Sequence, residues 1–502
     1  MISMPTHFFH LKFSLRSGLL CSAICLGSMV LQTLFSSPAF GQGALDALNP
    51  PPAAAPVNPQ ADQQAELVKQ VSEVLFNELE KLVPGEQADG SPAAEALHTA
   101  ADAYVQRKNE MVMSILDRSA TNIANFPPAE LMVAGLHFAA KNQNGGLQAL
   151  QQAAIKNPEH PSIYAAYGRL AVGTNRNVDA KVHFEKLIAL VRQGNLDEAA
   201  VAHYEDVYLD GMSQTALKLK DYEQARNLSS ELLKRDPENT SALQLLARVD
   251  FDDGKLNEAV ANLTKLREKK PNSRVPEAVI GTWLSRKGKK SEADAWFSKL
   301  PAMYANDATA QLDYANWTLA QENIESASTA IANAEAAGEA TPALNTLKGK
   351  IAFYQRKYED AVTIFKALHE GNPKNADLAN MYVLCLIESS NPENRVLANK
   401  LADANMQANP NNGVILAALG YVRLRTLGVN NQIKAIFAKV AQTQNRPPEV
   451  DYFLANFLKE AGDNKNALAV LQQASNRSGL FLYRRQAEQM KQGLAGGVLP
   501  TP

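Results

Sequence analysis

The residues able to perform acid-base or metal chemistry are spread thinly along this 502-residue sequence. A zinc site of the HExxH type needs two histidines one helical turn apart, because both imidazoles must face one metal ion. The histidines beyond residue 41 have no such spacing; they are His98, His137, His160, His183, His203 and His369. We interpret each as a packing or surface residue and predict no metal site.

Other catalytic patterns are also missing from the sequence. Gly281–Lys289 contains glycines and lysines, but Lys290 stands where a phosphate-binding loop requires Ser or Thr. Asp252 and Asp253 directly precede Gly254, a position typical of solvated turn residues rather than of a general acid and base. No GxSxG or GxGxxG pattern occurs. The sequence therefore predicts a protein that is not an enzyme and that holds no cofactor.

Residues 1–41 have the composition of a secretory signal peptide. Lys12 and Arg16 precede an apolar run over residues 18–35, and the small residues Ala39 and Gly41 offer a cleavage site after Gly41. An uncleaved membrane anchor is the alternative, since the run has about 18 residues. We expect an exported protein located in the periplasm, in the cell envelope or outside the cell, with a bacterial source favoured.

Charge and cysteine content exclude further classes. Cleavage after Gly41 removes Lys12 and Arg16, which changes the net charge from −2 to −4 and gives no electrostatic reason to bind nucleic acid. It also removes two of the three cysteines, so Cys385 remains alone and no internal disulfide can form. The 46% hydrophobic and 7% aromatic content favours a folded, helical chain that is stabilised by packing.

Two segments precede the main body of the chain. Residues 42–65 are rich in Pro and Ala, a composition typical of a flexible linker. Residues 66–92 are predicted to form an amphipathic helix and a loop, because Val71, Leu75 and Leu79 recur at one-turn spacing. This helix either caps the structure that follows or pairs with a partner protein, and we adopt the capping interpretation.

A period of 34 residues dominates the middle of the chain. Alanines recur at this spacing, and they are Ala225, Ala259, Ala293, Ala327 and Ala361. Twelve residues before each alanine stands another small residue, in the order Ser213, Ala247, Gly281, Ala315 and Gly349. Prolines follow in the same phase at Pro237, Pro271 and Pro373. Three columns that share one period indicate a repeated structural unit.

Each column has a physical reason. Small residues let two antiparallel helices approach closely, so Gly281 on a first helix and Ala293 on a second helix are predicted to meet within one hairpin. Gly254 and Gly288 supply the left-handed backbone that ends a first helix. Residues 236–239 (DPEN) and 372–375 (NPKN) are predicted to stop a second helix at Pro and to cap the next helix.

The pattern resembles the tetratricopeptide repeat family. The alanine and the phenylalanine four residues later, which belong to the family's second helix, are present at Ala180 and Phe184, Ala293 and Phe297, and Ala361 and Phe365. The resemblance implies an all-α fold, a right-handed superhelical solenoid of antiparallel helix hairpins whose concave face is lined by first helices. We expect about eleven hairpins over residues 93–476, followed by a C-terminal capping helix and tail over residues 477–502.

The resemblance also projects a set of side chains onto the concave face. At the ninth place of successive repeats, or one turn later, it places Arg169, Gln214, Lys218, Arg248, Arg286, Asn316, Lys350 and Tyr354. The resulting groove is mildly positive. We predict that it binds an extended or helical segment of another protein that carries carboxylates, with Tyr354 as an aromatic anchor. An ordinary solvated helix face is the alternative.

These features lead to a functional prediction. We expect an exported, non-enzymatic scaffold that mediates protein-protein interaction through the concave face of the solenoid. The alternative is a structural subunit of a cell-envelope assembly, of a secretion machine or of a polysaccharide-export complex.

Overall fold

The computed structural model describes residues 59–84, 90–194, 196–338 and 341–496. The predicted signal peptide, 1–41, and most of the predicted linker, 42–65, lie outside these ranges. Within them every regular element is a helix, which confirms the all-α prediction. None of the helices in these ranges has both the length and the apolar character that a membrane span requires.

The chain divides into two compact units, Met1–Ala259 and Val260–Pro502. The first unit contains α1 (Pro59–Glu80), α2 (Pro92–Val105), α3 (Asn109–Asn122), α4 (Ala129–Ala139), α5 (Gln143–Lys156), α6 (Pro161–Gly173), α7 (Asn177–Val191), α8 (Glu198–Lys218), α9 (Tyr222–Arg235) and α10 (Thr240–Asp252). The boundary between the units falls within α11 (Leu256–Lys269).

The second unit continues the same succession of helices. It contains α12 (Pro276–Arg286), α13 (Lys290–Phe297), α14 (Leu300–Met303), α15 (Ala308–Ala320), α16 (Ile324–Ala336), α17 (Pro342–Tyr354), α18 (Tyr358–Gly371), α19 (Ala376–Glu388), α20 (Pro392–Ala408), α21 (Gly413–Leu427), α22 (Asn431–Gln442), α23 (Pro448–Glu460), α24 (Asn464–Ser475) and α25 (Arg484–Gly496). From α2 to α24 the described helices form eleven consecutive pairs, with the single-turn helix α14 added after α13.

The first helix covers the start of the first unit. It begins at Pro59, so the last part of the segment predicted as a linker is helical. Val71, Leu75 and Leu79 are buried against α2 and α4. A Cβ atom at Gly135 of α4 would lie 3.3 Å from Leu79 Cδ2 of α1 and 2.8 Å from Cδ1 of Leu82, just after α1, so this glycine lets α1 and the turn after it approach closely. The stripe predicted from the sequence therefore packs within the chain.

The predicted alanine column forms the centre of the hairpins. All of its members are fully buried: Ala180, Ala225, Ala259, Ala293, Ala327 and Ala361. The partner column on the first helices is also buried, including the hydroxyl-bearing Ser213, whose Oγ donates a hydrogen bond to Leu209 O at 2.6 Å. The 34-residue period thus marks the contact between paired helices.

Glycines in the first-helix column make room for phenylalanine rather than for the alanine that the sequence suggested. A Cβ atom added at each glycine would come within 2.6 Å of the ring in the pairs Gly168 with Phe184 and Gly349 with Phe365, and within 2.8 Å in Gly281 with Phe297. Real Cβ atoms do not approach so closely. The phenylalanine lies one helical turn beyond the alanine column, on the same face of the second helix.

The hairpin of α15 and α16, which lacks this phenylalanine, compensates in volume. Its first helix carries Ala315 and its second carries Ile331. Both side chains are buried in one hydrophobic cluster. Because hairpin interiors are close-packed, one extra methyl group on the first helix is offset by a smaller side chain on the second.

Turns and caps follow the predicted chemistry with one difference. Gly254 and Gly288 have φ values of 82° and 76°, as their predicted turn role requires. The equivalent turns at Lys220, Glu322 and Arg356 keep positive φ values of 60–64° without glycine. Each of these residues accepts a left-handed backbone that disfavours a side chain. At the other end of the hairpin, the predicted caps are confirmed, since Asn239 and Asn375 cap α10 and α19.

We predict that the volumes at Gly349 and Phe365 are energetically coupled. Gly349→Ala should destabilise the protein by about 1–3 kcal/mol through overpacking. Phe365→Ile should also destabilise it, because a cavity remains. The double variant recreates the combination found at Ala315 and Ile331, so its loss should be smaller than the sum of the two single losses. Urea unfolding of the four proteins measures this coupling, and strictly additive losses would contradict it.

A second substitution tests the phase of the repeat. Ala293→Trp should lower the midpoint of thermal unfolding by several degrees, because an indole cannot enter a fully buried helix contact. Ala305 is exposed, so Ala305→Trp is the matched control and should leave the midpoint nearly unchanged. Equal effects of the two variants would mean that the assigned phase is wrong.

Candidate functional site

The packing column determines where the predicted groove residues point. Arg169, Gln214, Arg248, Asn316 and Lys350 each follow a buried column residue directly. One residue corresponds to about 100° of rotation around a helix, so these side chains lie beside the buried contact rather than opposite it. Lys218, Arg286 and Tyr354 lie on the same face one turn further along.

In the first unit, two of the predicted residues are close to one carboxylate. Gln214 Nε2 donates a hydrogen bond to Asp210 Oδ2 at 3.0 Å. Arg169 has an exposed side chain, yet the surrounding protein desolvates its guanidinium enough to lower its pKa, against the opposing effect of Asp210. An exposed group that is nevertheless desolvated indicates a recessed surface.

The other two predicted residues of the first unit behave differently. Arg248 Nε lies 2.7 Å from Asp252 Oδ2 one turn along its own helix, and its guanidinium lies 5.6 Å from the Phe251 ring. Its charge is therefore largely compensated within the chain. Lys218 is exposed at the end of α8.

In the second unit, Arg286 and Asn316 line one pocket between α12 and α15. Its volume is about 450 Å³, and its lining consists of Arg274, Thr282, Ser285, Arg286, Phe297, Asp313, Asn316, Trp317 and Ala320. Arg286 is exposed and makes no ion pair among the described residues. Arg274, by contrast, is fixed, because its Nε lies 2.9 Å from Asp313 Oδ2.

An aromatic wall completes this pocket. The rings of Trp317 and Phe297 stack with centroids 4.3 Å apart, and Trp317 Nε1 donates to Asp294 Oδ1 at 2.9 Å. The indole is thereby held in one orientation. The pocket thus presents a rigid aromatic surface beside a guanidinium that is not ion-paired in the described ranges, a combination that suits a carboxylate attached to an apolar segment.

Trp317 and Arg274 are among the lining residues of this pocket that sequence reasoning missed. Trp317 stands one position after a projected groove residue, and Arg274 lies in the loop before α12 rather than on a first helix. Their approach depends on how neighbouring hairpins pack, which the repeat phase alone does not give.

Tyr354 is covered by the chain's own C-terminal segment. Only 9% of this residue is exposed, and the guanidinium of Arg485 lies 5.4 Å from its ring. Its hydroxyl donates a hydrogen bond to Glu322 Oε2 at 3.1 Å. This differs from the prediction that Tyr354 is open to anchor a partner, because the residues that cover it come from a segment more than a hundred positions later.

Lys350 lies near the same segment. It is half-buried, and its charge opposes the effect of burial on Glu449. Burial nevertheless raises the pKa of Glu449, although the Leu482 N–H also donates to its carboxylate at 3.0 Å. The predicted groove residues of the second unit therefore fall into an open pair, Arg286 and Asn316, and a covered pair.

The histidines and the cysteine that could take part in catalysis are buried or bonded in ways that suit a structural role. Burial lowers the pKa of His203 to about 4, and His160 accepts a hydrogen bond from Ser162 N at the start of α6. Burial also raises the pKa of the Cys385 thiol, which disfavours the reactive thiolate. In the described part of the chain, no three His, Cys, Asp or Glu side chains are grouped to hold a metal ion.

Comparison with known proteins bears on the repeat type. A family model described as tetratricopeptide repeat matches residues 216–278. Among solved structures, a tetratricopeptide repeat protein from Parabacteroides merdae is 13% identical with a TM-score of 0.34, and the match covers 51% of this chain and 99% of that one. Yeast Tom70 is 12% identical with a TM-score of 0.30, and the match covers 81% of this chain and 97% of Tom70.

A third similar structure is YrrB, described as a tetratricopeptide repeat protein with an unusual peptide-binding site. It is 16% identical with a TM-score of 0.29, and the match covers 42% of this chain and 97% of YrrB. A search of curated protein sequences gives no significant match. Direct sequence support for the tetratricopeptide repeat thus covers α9, α10 and α11, in the middle of the succession of hairpins.

Proposed function

We propose that this protein is an exported, non-enzymatic scaffold that binds a segment of another protein at the pocket between α12 and α15. The observation that carries the proposal is the exposed guanidinium of Arg286, which forms no ion pair with any described residue and lies beside the fixed indole of Trp317. Helical repeats of the tetratricopeptide type generally serve as protein-interaction scaffolds, and the family match over residues 216–278 supports that assignment.

The chemistry of the pocket specifies the partner more closely. A guanidinium in a recess binds a carboxylate with two parallel hydrogen bonds, whereas an aromatic wall favours an apolar or aromatic neighbour. The Arg274 and Asp313 pair is neutral in sum, and burial raises the pKa of Asp313. We therefore propose a partner segment in which an acidic residue lies next to an apolar one.

Selection from a random peptide library displayed on phage tests this binding function with the full chain. The enriched peptides should share an acidic residue adjacent to an aliphatic or aromatic one. Arg286→Glu should weaken their binding at least about tenfold, because charge-assisted hydrogen bonds are replaced by repulsion.

Lys265→Glu provides a matched charge reversal on the exposed side of a second helix. It should change the affinity less than about twofold, as expected for a distant surface charge. Equal affinities of the Arg286→Glu variant and the unsubstituted chain would refute the assignment of this pocket.

Export has its own test. The basic residues Lys12 and Arg16, the apolar run and the small residues before Gln42 support a signal that is removed after Gly41. Expression of the whole sequence in a Gram-negative host, followed by intact mass measurement of the periplasmic protein, should give a chain that begins at Gln42. Recovery of a cytoplasmic chain that begins at Met1 would contradict export, and a membrane-bound full-length chain would support the anchor instead.

A further inference from the structure

The segment that follows α24 turns back across the second unit. Asn476–Tyr483 connects α24 to α25, and α25 packs against α24 as a terminal cap would. The same segment also reaches hairpins far earlier in the sequence. Gln486 Nε2 donates to the Tyr358 hydroxyl at 2.8 Å, and Arg356 donates to Gln489 Oε1, also at 2.8 Å. A segment that only capped the last hairpin, α23 and α24, would not need these contacts with residues of the hairpin of α17 and α18.

One carboxylate is the centre of this attachment. Glu322, in the turn between α15 and α16, accepts the Phe481 N–H at 3.0 Å and Arg484 Nε at 2.6 Å. It also accepts the Tyr354 hydroxyl. Glu322 has a φ of 60°, a conformation that glycine adopts at equivalent turns with less strain. The Glu322 side chain thus holds the C-terminal segment, although its backbone conformation would be less strained with glycine at this position.

Aromatic side chains hold the middle of the segment. The Tyr483 ring is fully buried, stacks on Tyr452 at 4.7 Å, and meets Phe353 and Phe453 edge-on at 5.1 Å and 5.3 Å. Phe481 is also fully buried, and Leu482 lies between the two rings in the chain. The segment therefore contacts the first helices α17 and α23. It presents, in order, an aromatic residue, an aliphatic residue, a second aromatic residue and an arginine.

The fit of this segment is incomplete. Within the part of the chain that the structure describes, the buried Tyr483 hydroxyl has no hydrogen-bond partner, and neither has Gln486 Oε1. A buried polar atom without a partner costs free energy that a different occupant could avoid. These two atoms lie within the part of the segment that contacts α17 to α23.

We propose that the first-helix faces of α17 to α23, with Glu322 and Glu449, form a second peptide-binding site that the chain's own Phe481–Gln486 occupies. Its partner is a protein segment of the same chemistry, an aromatic, an aliphatic, an aromatic and an arginine, which replaces the internal segment. This site is separate from the pocket at Arg286 and does not rest on the function proposed for that pocket.

Exchange in the full chain tests the proposal. A recognition sequence for a specific protease is inserted between Ser478 and Gly479, both of which are exposed. After cleavage, a fluorescent peptide with the sequence of residues 479–496 should bind saturably as it replaces the released segment. The uncleaved chain should bind it at least about tenfold more weakly, because the tethered segment competes at a high effective concentration.

One peptide variant and two protein variants test whether this binding is specific. Replacement of the peptide residues corresponding to Tyr483 and Arg484 by Ala should abolish binding. In the cleaved protein, Glu322→Gln should weaken binding about tenfold, whereas Glu325→Gln, in the exposed first turn of α16, should not. Failure of the labelled peptide to exchange into the cleaved chain would overturn the proposal.

Glu322→Gly separates a binding role from a structural one. It removes the carboxylate and also relieves the left-handed backbone, so the turn itself should be retained. In the uncleaved chain, this variant should bind the peptide at a rate at least about fivefold higher, with unchanged helicity, because opening of the internal segment limits the rate of binding. Loss of helicity, or a lowered unfolding midpoint without peptide binding, would show that the segment is a fixed part of the fold and would refute the second site.

Discussion

The close approach of two helices within each hairpin is the constraint on which the structure depends. The alanine column allows that approach, and the first helix carries a smaller residue where the second helix carries a larger side chain at the adjacent contact. Gly349 faces Phe365, whereas Ala315 is combined with Ile331. The contact within a hairpin requires a small residue, such as Gly or Ala, on the first helix. Because this contact recurs along the chain, its aromatic content is low.

The contact within each hairpin also determines which first-helix side chains stay exposed. A residue next to a buried column position is rotated about 100° around the helix and lies at the edge of the first-helix face. Packing of the two helices therefore directs Arg286 and Asn316 towards that face, and Asn316 Nδ2 also donates a hydrogen bond to Leu312 O at 2.9 Å. Within the second unit, the open pocket ends at Ala320, and the carboxylate that holds the C-terminal segment follows at Glu322. An open pocket and a surface covered by the C-terminal segment adjoin there.

Much of the fold follows from the sequence because the same helix contacts, caps and turns recur with a period of 34 residues. The alanine column, the caps at Asn239 and Asn375, and the left-handed turns at Gly254 and Gly288 were all predictable. The pairing of glycine with phenylalanine was not deduced, since it requires comparison of both columns between hairpins. The start of α1 at Pro59 was obscured by the proline and alanine content of the segment before it.

The candidate site was less predictable for a physical reason. Repeat phase locates residues on a helix face, but it contains no information on contacts between positions about 160 residues apart, such as Glu322 with Arg484. The covering of Tyr354 is of this kind. Projection placed Arg286 and Asn316 near one another, whereas Trp317 and Arg274 join them only through packing between hairpins.

Hydrogen-deuterium exchange of the full chain tests most directly whether the first-helix faces bind an exchangeable segment. If Phe481–Gln486 is a ligand held in place by the chain, the Phe481 and Leu482 amides open without unfolding of the hairpins. Their exchange should then be at least about tenfold faster than that of the central amides of α19 and α21. Equal protection of the segment and of these helices would contradict this view, because the segment would open only when the unit unfolds.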